Sequence, residues 1–215
     1  MTDPAADPEV EAAQRVIFFS DAVVAIAITL LALALPVPHT TDGTSNIDFL
    51  RALHDQWSEY LAFLISFLVI GNHWSGHRRT FRYVARLGGA VGRLNMLWLL
   101  MVVLTPFATR ILTSDGGFGV RFGIYALIQV IASACLMLLN REFSRLDLLR
   151  PDAPEAVRQP DNVRGLVFIV VFLISIPVAF ATAWAFVLWA AVSPLSLLVQ
   201  RRREKRPPRI SEVPR

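Results

Sequence analysis

Residues 22–38 carry no charge, and the chain enters them through Arg15, Phe19, Ser20 and Asp21. A bilayer core of about 30 Å is crossed by roughly 20 apolar residues wound as a helix. In hydrocarbon every backbone N–H and C=O must be satisfied within the protein, which restricts crossings to helices and closed barrels. The segment 16–35, ended by Pro36 and Pro38, is long enough to cross. Asp21 beside Ser20 at its mouth is expensive to place in lipid, so it is expected to face a bundle interior or a water path. Such a chain reads as a membrane protein whose first helix carries the function.

Composition agrees. Of 215 residues, 54% are hydrophobic and 18% charged, with a mean hydropathy of +0.50, too apolar for an ordinary soluble domain. The net charge is +4 and the pI about 10.0. The basic residues lie between apolar blocks, so membrane lipid is the expected partner and nucleic acid is not. The single cysteine, Cys135, lies in an apolar stretch and excludes an intrachain disulfide framework. Residues 1–11 are acidic and lack a basic n-region, so the first apolar run is expected to be a retained transmembrane helix, not a signal peptide.

Six crossings are predicted, making an all-α membrane protein. They are 16–35, about 60–74, 94–109, 123–139, and two from the uncharged run 165–200, which is too long for one crossing. The turn between the last two is expected near Thr182-Ala183-Trp184. Trp57 and Trp74 bracket the second crossing about 25 Å apart, at 1.5 Å per residue, as an aromatic belt at each interface would be. With the N-terminus inside, Arg15, the loop with Arg78, Arg79, Arg82, Arg86 and Arg93, the loop with Arg141, Arg145, Arg150, Arg158 and Arg164, and the tail from Arg201 are all cytoplasmic. Of the 21 Lys and Arg, only Arg51, Arg110 and Arg121 fall outside. This asymmetry predicts cytoplasmic termini and a multi-pass protein of the cell inner (plasma) membrane. The expected organisation is an N-terminal segment 1–14, a transmembrane domain 15–200 and a basic tail 201–215, which anchors topology or touches anionic lipid. Residues 39–46 form an outer loop that turns at Asp42-Gly43.

On the first helix Ile26, Leu30 and Leu33 fall on one stripe, with Thr29 at its edge. Lipid is as apolar as leucine, so periodicity leaves two arrangements open. The stripe faces lipid or a neighbouring helix, or several copies ring an axis. In the second case the Ile and Leu rings make a constriction that gates by dewetting, and a Thr hydroxyl ring replaces part of an ion's hydration shell. At one membrane depth the topology also gathers Arg15, Ser20 and Asp21 with Asn72, His73, Trp74 and His77, and with Asn95. A buried Asp needs partners. These residues form either a network pinning the first helix to the second and third, or a proton relay from Asp21 through His73 or His77. The two histidines are spaced as zinc ligands can be, but no Glu follows the first and no third ligand is evident, so no metal site is predicted. No nucleophile elbow, phosphate loop or dinucleotide fingerprint occurs, so no catalytic residue and no enzyme activity is expected. Gly88-Gly89 and Gly92 are expected to end the second helix and allow close packing before the third.

Arg15, then Phe19-Ser20-Asp21, then the apolar run from Ala22 to Leu31 resembles the first-helix signature of the endosomal/lysosomal potassium channel family, of transmembrane protein 175 type. A single six-helix chain is similar to the bacterial single-repeat branch of that family. Trp74 with His77, Leu94-Asn95 and Thr105-Pro106-Phe107 are further matches, whereas Arg78 stands where many relatives carry a second His. The resemblance implies a homotetrameric channel for potassium and other monovalent cations, with the first helix of each subunit lining the pore and no Thr-Val-Gly-Tyr-Gly filter. It implies Ile26, Leu30 and Leu33 as the constriction, Thr29 as a selectivity hydroxyl layer, and Arg15, Phe19, Ser20 and Asp21 as the signature holding the helix in place. It implies no cofactor, only a permeant potassium ion. A proton-coupled secondary transporter using Asp21 is the alternative, disfavoured by the lack of an internal repeat.

Overall fold

Helix α1 spans Pro8–Leu33 and begins two turns earlier than the apolar run alone predicts. Glu9 and Glu11 occupy its first turn, where carboxylates interact favourably with the helix N-terminus. Glu11 also accepts from Arg15 one turn on, at 2.6 Å. Residues 8–14, expected in a separate N-terminal segment, therefore continue into the apolar helix. Its far end stops short of Pro36, because a proline removes a backbone donor and restricts the residue before it.

The computed structural model describes residues 8–158, 163–182, 185 and 187–190. The remaining elements are α2 (Asn46–Asp55), α3 (Trp57–Phe81), α4 (Val91–Thr113), α5 (Phe118–Arg145), α6 (Glu155–Arg158), α7 (Val163–Ala181) and α8 (Val187–Ala190). No strand occurs among the described residues, although an isolated bridge pairs Val84 with Leu149. By length and composition, Glu9–Leu33, Val91–Thr113 and Phe118–Arg145 can each cross a membrane. Thus α1, α3, α4, α5 and α7 lie where the first five crossings were expected. The start of the sixth coincides with α8. The expected turn at 183–184, the rest of the sixth helix and the tail 201–215 lie outside the described residues.

Helix α2 was not anticipated. The Ser45 hydroxyl accepts from the Asp48 N–H at 3.2 Å and caps it, and none of its residues is buried. Between α3 and α4, Gly89 adopts φ 56°. A Cβ there would collide with the Glu142 carboxylate and stand 2.6 Å from Leu146. The close approach lets Glu142 accept from the Ala90 N–H at 3.1 Å, so a side chain of α5 caps the start of α4.

Helix α5 is the centre of the bundle, packed against α4 and α7, while α1 lies on α3 and α4. One cluster stacks Phe122, Tyr125 and Phe172 against Trp189 of α8. A second seats Val24, Ala27 and Leu31 of α1 against Trp98, Val102 and Cys135. A third joins Ala13 to Phe81, Phe143 and Leu148 at the arginine-rich end. Outside the helices, Arg150 pairs with Asp152 at 2.7 Å, which holds the Asp152 carboxyl below the ordinary carboxylate range.

Candidate ion-conduction site

Helix α1 has two faces of different character. Ala13, Ser20, Val24, Ala27 and Leu31 recur at intervals of three, four and seven, and all are buried against α3 and α4. The opposite face is open. Ile26 is 59%, Leu30 46% and Leu33 82% exposed, against 1% for Leu31. Thr29 is also exposed, and its hydroxyl donates to the Ile26 carbonyl at 2.8 Å. Ile26, Thr29, Leu30 and Leu33 thus form a surface that no other described part of the chain covers. Phe19 is exposed as well.

Hydrogen bonds fix the buried face at the level of Ser20. Ser20 donates to its own helix at the Val16 carbonyl, 2.7 Å away, and accepts from Asn95 Nδ2 at 3.0 Å. Because Asn95 donates through its nitrogen, its Oδ1 must accept, and His77 Nε2 supplies that proton at 2.9 Å. The order His77, Asn95, Ser20, Val16 is a head-to-tail chain of donors linking α3, α4 and α1, and all three side chains are buried. His77 is held flat between Phe81 (centroids 3.8 Å apart) and Trp98 (4.3 Å). Beside this chain the Trp74 indole donates to Asp21 Oδ1 at 2.9 Å, and Arg78 lies over the Trp74 ring at 5.2 Å. Trp74 is therefore turned into the bundle, unlike Trp57, which is exposed as a belt residue would be.

The polar residues grouped by sequence thus separate. Ser20, Asn95 and His77 form one chain, and Asp21 with Trp74 forms a second contact. Arg15 joins neither, since it pairs with Glu11 on the surface. His73 also lies apart, buried with its edge on Phe168 of α7 (5.4 Å), and with Asn72 it lines a cavity between α3, α5 and α7.

A second buried polar cluster was not foreseen. Thr109 on α4 hydrogen-bonds Ser66 of α3 at 2.7 Å, Ser66 hydrogen-bonds Tyr125 of α5 at 3.1 Å, and Gln129 of α5 donates to Thr105 at 3.2 Å. It ties the middle of α3, α4 and α5 together, where hydroxyls and amides find no water. The available signal was the i, i+4 spacing of Thr105 with Thr109 and of Tyr125 with Gln129 on otherwise apolar helices.

Residues 15–106, which include most of α1, all of α3 and much of α4, match the pattern of the endosomal/lysosomal potassium channel TMEM175 family. A potassium channel of Streptomyces collinus is 40% identical over 149 residues, covering 66% of this chain and 71% of that protein. The endosomal/lysosomal proton channel TMEM175 of Gallus gallus is 36% identical over 107 residues, 47% of this chain and 21% of that protein. A crystal structure of a lysosomal potassium-selective channel TMEM175 homologue from Chamaesiphon minutus aligns with a TM-score of 0.68 at 28% identity, covering 86% of this chain and 98% of that one. A buried Ser20–Asn95–His77 chain set in the matched segment, and likeness in sequence and fold over most of the length, place this chain in the endosomal/lysosomal potassium channel TMEM175 family.

Proposed function

We propose that four copies of the chain form a potassium-permeable cation channel whose axis is lined by α1 of each subunit. The observation that carries this reading is the two-faced character of α1. One face is fixed to α3 and α4 by packing and by the Ser20–Asn95–His77 chain, and the other presents Ile26, Thr29, Leu30 and Leu33 outward. Ile26, Leu30 and Leu33 would then form a dry neck about 10 Å long, at 1.5 Å of rise per residue. A neck of that kind loses water readily and keeps leak small until the helices move apart. Thr29 places a hydroxyl within that neck, where it substitutes for part of a cation's hydration. In the same proposal residues 15–200 form a six-helix channel domain in the plasma membrane, with both termini cytoplasmic.

The transporter alternative requires Asp21 to pass a proton onward. Asp21 Oδ1 accepts from the Trp74 indole, which donates but does not accept, and no hydrogen bond among the described residues joins Asp21 to His73 or His77, which supports the channel reading. Purified protein in liposomes under a potassium gradient separates the two. Flux whose reversal follows the potassium Nernst potential supports the channel. Flux that requires an opposing proton gradient overturns it.

A further inference from the structure

Between α3, α5 and α7, at the arginine-rich end of the bundle, lies a cavity of about 110 Å³ that no residue of α1 lines. Its polar wall is built by Asn72, His73 and Arg79 of α3 and by Asn140 of α5. Its apolar wall includes Met137 of α5 and Phe168 of α7. Three observations define what it can hold. Among the described residues, the only charged side chain lining it is Arg79, and no carboxylate faces it. His73 is 3% exposed, and its Nε2 has no hydrogen-bond partner among the described residues. An unpaired buried polar atom is unfavourable until a guest supplies a partner. Finally, the cavity reaches deep. His73 and Arg79 are six residues apart on one helix, about 9 Å of rise, so the pocket runs from the level of the arginines into the apolar layer. Its volume is several times the roughly 10–15 Å³ that one water needs.

We propose that this cavity binds the phosphate of an anionic phospholipid headgroup. Arg79 neutralises the phosphate, the Asn72 and Asn140 amides donate to its oxygens, and His73 Nε2 gains a partner from the headgroup or glycerol. Met137 and Phe168 receive the start of the acyl chains. A free phosphate ion shares the anionic chemistry but leaves the apolar wall without a contact. Charge, donors and an apolar floor in one pocket at this depth match a lipid.

The test uses the full-length protein in phosphate-free detergent and follows its melting temperature. Three additions are compared: phosphatidylglycerol, phosphatidylcholine and inorganic phosphate. Phosphatidylglycerol is expected to raise the wild-type melting temperature, with the other two giving little change. The rise should fall by at least about half in Arg79→Gln and in Asn140→Leu, but persist in Arg82→Gln, which removes the same charge one turn away, outside the cavity. An equal rise in all variants means general attraction to a basic surface and overturns the site. An equal rise with inorganic phosphate overturns the assignment to lipid, and no rise with phosphatidylglycerol overturns both. The readout is independent of conduction, so its failure does not touch the channel reading.

Discussion

Asn95 is the residue on which the position of α1 depends. It donates to Ser20 and accepts from His77 in a site without solvent, so Asn95→Leu leaves a buried donor on His77 unpaired and removes a donor from Ser20. Each such group costs about 1–3 kcal/mol, and the mutant should melt several degrees lower in detergent and lose oligomer on size exclusion. Asp21→Ala should be milder, because it strands only the Trp74 indole at a half-buried position. A mutant that melts normally but loses proton-driven flux would show that Asp21 titrates during transport. Thr29→Val keeps the shape and removes the hydroxyl, so the potassium-to-sodium permeability ratio should fall while conduction persists. An unchanged ratio removes Thr29 from the ion's path. At this scale the sequence marks its residues unevenly. Asp21, Asn95 and His77 stand out because charge and amide are rare in apolar helices. His73 looks equivalent to His77 one turn away, yet the two meet different neighbours, Phe168 on one side and Phe81 with Trp98 on the other. Thr105 and Thr109 stay silent in a sequence because each hydroxyl can also bond its own helix one turn back, as both do here.

Among the elements, α1 shows best what hydropathy can and cannot deliver. Its apolar length is plain in the sequence, and so is its end before Pro36. Its first two turns are not, because Glu9, Glu11 and Arg15 read as a polar leader even though they support the helix through its N-terminal end and an i, i+4 ion pair. Nor does hydropathy distinguish the two faces, since Leu31 and Leu33 are equally apolar. Packing distinguishes them. Leu31→Ala opens a void in the cluster that holds Trp98 and Val102 and should cost about 2 kcal/mol or more. Leu33→Ala, on the open face, should leave the melting temperature of the dissociated subunit nearly unchanged and raise the leak current. Thermal melts and liposome flux on the pair check both halves, and equal destabilisation by the two would mean that α1 is rotated from the position described. Helix α2 escaped notice for another reason. Its cap, Ser45 with Asp48, is a legible start signal, but ten residues with no buried face give periodicity nothing to act on.

At the scale of the whole molecule, the organising fact is that the described residues pack against α1 on one side only. The bundle around α5 is tied together by Glu142 at Ala90 and by the Ser66–Thr109–Tyr125 cluster. The row Ile26, Leu30 and Leu33 is left uncovered by the described residues. The helical architecture of the described residues was readable from the uncharged runs, because the bilayer sets helix length. What surrounds the open row was not readable, because lipid and a second copy of the helix present the same apolar surface. Recording wild type and Ile26→Asn side by side in planar bilayers decides it. An amide in a narrow apolar neck holds water there, so a pore lined by α1 predicts a larger unitary conductance and a lower potassium-to-sodium ratio in the mutant. If Ile26 faces lipid, the amide meets hydrocarbon, and intact oligomers with unchanged conductance contradict a pore lined by α1.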